Sequence, residues 1–161
     1  GGQGHMAHEH CPVCGGQKMV TENKTFKLMI EKGIADRDEI VFENEGDSFI
    51  NALPGDVKFT VLVKPHPQFT RDKDDLYYKL PITFQEALFG FSKRIRHLDG
   101  RHVEINRNEP SQPNSYVVLK GEGMPKKNQP TESGDLYLEL TIELPKRLSE
   151  AQKKIVQEIL Q

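Results

Sequence analysis

Two stretches of this chain follow one scheme, and a scheme used twice limits the fold more than composition does. Residues 40–65 read IVFENEGDSFINALPGDVKFTVLVKP, and residues 117–145 read VVLKGEGMPKKNQPTESGDLYLELTIELP. Each runs through a strand, an acidic-glycine turn and a polar loop, then Gly-Asp and an alternating strand that ends at proline. Gly46 matches Gly123, and Gly55-Asp56 matches Gly134-Asp135. A β unit written twice predicts two similar small domains in tandem. Their division falls near 65–75, where HPQFTRDKDD has the proline and charge content of a linker.

The rest of the chain also reads as mostly β. KTFKLMIEKG (24–33) places Phe26, Leu28 and Ile30 on one face, the period of a half-buried strand. Further strands are predicted near 38–43, 56–64, 74–83, 115–120 and 135–143. In the strand over 56–64 Val57, Phe59, Val61 and Val63 share a face, and Pro65 and Pro67 stop it. FQEALFG (84–90) supplies a short helical turn ended by Gly90. FSKRIRHLDGRHVEINR is a hairpin whose Asp99-Gly100 is the dipeptide that type I′ turns favour. In so thin a domain Phe26, Leu28, Ile30, Phe59 and Val61 form either its core or an apolar groove for a peptide.

LSEAQKKIVQEILQ is the one strong helix. Ser149 caps it and Gln152, three residues on, completes a capping box. Leu148, Ala151, Ile155, Val156 and Ile159 make an apolar stripe that must bury against its own sheet or a partner chain.

Composition excludes more than it suggests. In 161 residues, 22 basic side chains stand against 24 acidic ones, so the basic footprint of a nucleic-acid binder is missing. No apolar run approaches the roughly 20 residues that span a bilayer. GGQGHM at the start reads as a cloning remnant. No Ser elbow, phosphate loop or metal-spaced histidine set assembles a catalytic constellation, which favours a binding protein over an enzyme.

The two cysteines, Cys11 and Cys14, sit together in HCPVCGGQK. Structural zinc takes four ligands, and this knuckle offers two. His8 and His10 are the nearest additions, but His10 adjoins Cys11 and the geometry is cramped. Three readings stay open on residues alone: a redox pair serving a thiol–disulfide oxidoreductase, a zinc-knuckle adaptor, and a disulfide or free thiols.

CPVCGGQK resembles the last of the four Cys-x-x-Cys-x-Gly-x-Gly repeats of the DnaJ family of J-domain co-chaperones, with Lys18 where a glycine is commonest. Gly55, Asp56, His66, Pro67, Phe69, Arg71, Asp75 and Leu76 match that family's Gly-Asp-Leu…His-Pro-x-Phe-x-Arg-x-Gly-x-Asp-Leu block, although Lys73-Asp74 departs from its Gly-Asn or Gly-Asp. HLDG (97–100), KGEGMP (120–125) and GDLYLEL (134–140) complete the pattern. The resemblance covers about residues 11–160 and implies two tandem, similar β-sandwich-like C-terminal domains with short helices and a C-terminal dimerisation helix. It divides the chain into a tag or linker (1–10), a remnant of the cysteine-rich region (11–20), part of C-terminal domain I (21–68), C-terminal domain II (69–146) and the dimerisation helix (147–161).

By the same resemblance, domain I holds unfolded polypeptide clients as an added strand beside an apolar pocket, here carried by Phe26 and Phe59 with Leu28 and Val61 as neighbours. The opposite wall comes from strands upstream of the cysteine region. Leu148, Ala151, Ile155 and Ile159 become the homodimer contact, and an Hsp70-type ATPase becomes the partner of the full-length protein through its J domain. Cys11 and Cys14 become half of a zinc site whose other ligands lie outside the chain. The expectation is therefore no cofactor in this stretch and zinc in the full-length protein. The wording of HLDG and EGMP places the protein in the endoplasmic reticulum lumen first, with the cytoplasm as alternative.

Overall fold

The computed structural model describes residues 21–47 and 50–160. In chain order they form strands β1 (Glu39–Phe42), β2 (Val57–Thr60), β3 (Phe69–Asp72) and β4 (Asp75–Thr83), then helix α1 (Phe84–Phe89). Strands β5 (Phe91–Arg96), β6 (His102–Arg107), β7 (Tyr116–Leu119), β8 (Pro125–Lys126), β9 (Gln129–Ser133) and β10 (Leu136–Glu143) follow, and helix α2 (Glu150–Ile159) comes last.

The strict alternation of β10 organises the second repeat. Leu136, Leu138 and Leu140 are fully buried, and each such burial contributes about 1.5–3 kcal/mol. β10 lies between β4 and β7 in a four-stranded sheet ordered β3-β4-β10-β7. It pairs β7 antiparallel and β4 in parallel, with Leu136 beside Leu76 and Leu140 beside Leu80. A parallel pair needs a long crossover. α1 and the β5–β6 hairpin occupy it, and they bring Ala87, Phe91, Ile95 and Ile105 into the same core cluster. Thr83 caps α1 in a capping box with Glu86.

The first repeat is a two-stranded sheet, β1 with β2. Its match to the second extends to individual hydrogen bonds. The Gly46 amide donates to the Gly55 carbonyl at 2.8 Å, and Gly123 donates to Gly134 at 2.8 Å. The Asp56 carboxylate accepts from the Asn44 amide at 3.0 Å, as Asp135 accepts from Gly121 at 3.0 Å. Asn44 and Gly121 both take left-handed backbone, and so do Arg37 and Asn114 ahead of the paired strands. Phe42 opposite Val57 corresponds to Leu119 opposite Leu136.

Several expectations from sequence are corrected. Residues 24–30 alternate, yet they form no strand. Counted back at the constant offset of the repeat they match β6, whose partner is β5. The first repeat has no such partner among the described residues, and a strand without a ladder leaves its backbone groups unpaired. The strand expected over 56–64 ends at Thr60, and Val63 is exposed, its amide held instead by the Asp36 carboxylate. The linker reading of HPQFTRDKDD fails over 69–72, which is β3 and buries Phe69. The His66 ring accepts the Gln68 and Phe69 amides through Nδ1, so the His-Pro pair starts that strand. The polar loop of the second repeat contains the β8–β9 hairpin.

The β5–β6 turn is not type I′. The His97 amide donates to Arg101, the Gly100 amide donates back to His97, and only Gly100 has positive φ, which is a type I turn closed by a glycine bulge. His97 itself is buried. Its Nδ1 accepts the Leu98 amide at 2.8 Å, so Nε2 carries the proton that meets the Glu122 carbonyl at 2.7 Å. HLDG and KGEGMP are thereby one hydrogen-bonded corner, which Arg101 reinforces by reaching Asp99 and Glu122.

The repeats are fastened together at the turn before β1. The Arg71 guanidinium donates to the Gly33 carbonyl at 2.9 Å and the Ile34 carbonyl at 2.7 Å, and its Nε donates to Lys73 at 2.6 Å. Gly33 has φ +84°, and a side chain there would run into the Pro125 carbonyl of β8. Lys127 reaches Asp38 at 2.9 Å across the same contact.

Candidate peptide-binding site

Phe59 points from β2 toward the interior side of the first sheet and meets Phe42 of β1 edge to face, centroids 5.7 Å apart. Phe26, from the irregular segment, closes the group at 4.9 Å from Phe42 and 5.5 Å from Phe59. Tilted and edge-to-face pairs at these distances are the favourable aromatic geometries. The structure thus brings together two of the four residues expected at the pocket and adds Phe42. The signal for Phe42 was in the sequence: it alternates with Ile40 in the strand expected over 38–43.

Val61 stands just past the end of β2, where its amide donates to Asp38 and its carbonyl accepts from Arg37. Leu28 remains 40% exposed on a segment without secondary structure. Beside the rings, a groove of about 340 Å³ runs between residues 27–34 and β1, lined by Met29, Ile34, Ile40 and Phe42 with Lys27 and Glu39 at its sides.

The repeat shows what is unusual about these rings. Phe59 corresponds to Leu138, which is 0% exposed because β4 lies on the second edge of β10 and β5–β6 joins the same core. β2 pairs with β1 alone among the described residues, and Phe26, Phe42 and Phe59 are each only half buried. The first repeat therefore carries a core face whose covering layer is missing from the described residues. An apolar face beside an unladdered strand can take up an extended polypeptide by side-chain burial and backbone hydrogen bonds together. Among the described residues no three His, Cys or carboxylate side chains converge as metal ligands. Cys11 and Cys14 lie outside the described residues.

The expected stripe on the last helix is only partly helical: Leu148 precedes the Ser149 cap, and α2 starts at Glu150. The capping box with Gln152 forms as expected. No α2 residue is buried; Ile155 is 57% and Ile159 55% exposed, so the stripe is not covered by the chain's own sheet.

Comparison with known proteins agrees with this architecture. Residues 7–145 match the family described as the DnaJ C terminal domain. The DnaJ homolog shv of Drosophila melanogaster is 39% identical over 93% of this chain and 43% of its own length. The DnaJ protein ERDJ3B of Oryza sativa subsp. japonica is 38% identical over 96% of this chain and 44% of its own. The DnaJ protein homolog 1 of Allium porrum is 36% identical over 99% and 41%. The chain thus spans about two-fifths of the length of these curated relatives.

Proposed function

The chain belongs to the DnaJ C-terminal domain family, and from that premise we propose that it is the client-binding and dimerising part of a J-domain co-chaperone. The observation that carries this reading is the half-open cluster of Phe26, Phe42 and Phe59, in which Phe59 stands where the second repeat buries Leu138 completely. A non-native polypeptide, rich in exposed apolar side chains, supplies the missing layer as an added strand. Val61 and Leu28 extend the apolar surface on either side. Residues outside this chain build the opposite wall, and the greater length of the relatives is consistent with that.

The role is binding rather than catalysis. An Hsp70-type ATPase receives the client from the full-length protein. Zinc belongs to the complete cysteine-rich module, of which Cys11 and Cys14 are half a site, and this stretch takes no cofactor. The exposed stripe of Ala151, Ile155 and Ile159, with Leu148 at its base, packs on a second copy. Two linked pockets then hold one client with raised effective concentration. Neither nucleic acid nor membrane is a partner; among the described residues no helix is long and apolar enough to cross a bilayer. The endoplasmic reticulum lumen is the assigned compartment on the wording of HLDG and EGMP, with the cytoplasm as its rival.

In the full-length protein, Phe26→Ser with Phe59→Ser should abolish suppression of client aggregation while leaving the unfolding midpoint of the second repeat in place. Unchanged suppression would remove the pocket assignment. For the helix, light scattering of the chain ended at Lys146 should give half the mass of the intact chain; equal masses would remove it as the dimer contact.

A further inference from the structure

The outer face of the four-stranded sheet carries three of the chain's four tyrosines. Tyr77 of β4 and Tyr137 of β10 are opposite each other in the parallel register and stack at 5.0 Å with planes 14° apart. Tyr116 of β7, 51% exposed, stands nearly perpendicular to both, at 6.4 and 6.3 Å. The fold does not require rings there. At the matching positions of the first repeat, with the same ladder and the same turn hydrogen bonds, Tyr116 and Tyr137 are replaced by Glu39 and Lys58. An aromatic corner kept on a solvent face that the other copy builds from charges is a surface with a use.

We propose that Tyr77, Tyr116 and Tyr137 form a docking platform for arginine- and lysine-bearing polypeptide segments. Two features select that chemistry. Aromatic faces attract guanidinium and ammonium groups through the ring quadrupole. The positions around the rings on this face are mostly acidic, with Asp72, Asp75, Asp135 and Glu139 against the ammonium groups of Lys79 and Lys120. Their field is felt at the rings: burial first, and then the Asp72 carboxylate, push the Tyr77 hydroxyl above the usual tyrosine range. The occupant is a polypeptide rather than a free cation because β7 is an edge strand, with no ladder partner on its far side among the described residues. This surface faces away from the leucine core and does not depend on the phenylalanine cluster.

The test is anisotropy of a fluorescein-labelled, end-blocked hexapeptide of alternating glycine and arginine, titrated with the 161-residue chain beside the same peptide carrying neutral citrulline. The arginine peptide should bind saturably and at least about two- to fivefold more tightly than the citrulline one, since one exposed cation–π contact is worth about that much. Raising the salt should weaken it. Tyr116→Glu with Tyr137→Lys installs the first repeat's own residues, so the variant should fold with an unchanged thermal midpoint and lose saturable binding. Phe59→Ser should leave binding intact. Equal affinity for citrulline, binding that survives the double substitution, or binding lost in Phe59→Ser would each overturn the proposal. So would a double variant that loses self-association by light scattering, which would assign the platform to a second copy.

Discussion

Replacing Arg71 by methionine keeps the aliphatic stem and removes the fork that ties the Gly33–Ile34 turn to the second repeat. Two hydrogen bonds from a charged donor are lost, at 2.9 and 2.7 Å. Such bonds contribute about 1.5–3 kcal/mol each when well sheltered. This pair is only part-buried, and water replaces some of it, so about 2 kcal/mol is the expected loss of docking free energy. That corresponds to roughly a 30-fold rise in local opening. Native-state hydrogen exchange reads it directly. The Ile34, Arg37 and Asp38 amides bond to Glu31, Val61 and Ala35 only while the turn is in place, and each should lose about that factor of protection. Amides of β10 should keep theirs. Gly33→Ala attacks the same contact from the other side, so the two substitutions together should cost clearly less than their sum. The reasoning fails if turn protection changes by less than about threefold, or if β10 loses protection equally. The second outcome would mean that Arg71 acts through its bond to Lys73 on the second repeat itself.

Two further predictions follow from burial and charge. Leu138→Ala should lower the unfolding free energy by about 2–5 kcal/mol in urea titration, whereas Phe59→Ala at the matching but half-open position should cost clearly less. Comparable losses would mean that the first repeat is as well covered as the second. Asp38 is held below the usual carboxylate range by the Ala35 amide first and Lys127 next. Its folded value is depressed, so its contribution is complete above the unfolded value and fades as acid protonates it. Protection of the 31–38 turn should therefore drop below about pH 4, and Asp38→Asn should flatten that dependence. An unchanged acid profile in the variant would assign the effect to another group.

How much was legible in the sequence depended on whether a signal was local. The Gly-Asp pairs, the glycines before them and the Ser149–Gln152 box are short-range signals, and each formed as written. The β10 alternation was equally clear, because one face is buried and the other wet. The parallel pairing of β4 with β10 was not, since no neighbouring residue encodes a partner so distant in the chain. β3 was hidden because four residues flanked by proline and charge look like a linker until Phe69 is seen to enter the core. Residues 24–30 failed in the opposite direction. Their side-chain period was right, but ladder hydrogen bonds come from a neighbour and not from the segment. At the candidate site alternation and family likeness both point to Phe26 and Phe59, whose rings are in contact. Phe42, which touches both rings, carries the same kind of signal in its alternation with Ile40.

The place of β10 in the sheet also sets an order of events as the chain folds. Among the described strands it comes last in chain order, and it alone touches both β4 and β7. Until residues 136–143 arrive, the β3–β4 hairpin and β7 have no common partner, and Leu76, Leu80 and Ile82 have no leucines to meet. Joining β4 to β10 closes a loop of more than fifty residues, a slow, non-local step. A nascent chain stalled before Leu136 would display the same apolar faces that the finished protein keeps inside. Such a protein would itself depend on a holdase during synthesis, for as long as residues 136–143 remained inside the ribosome.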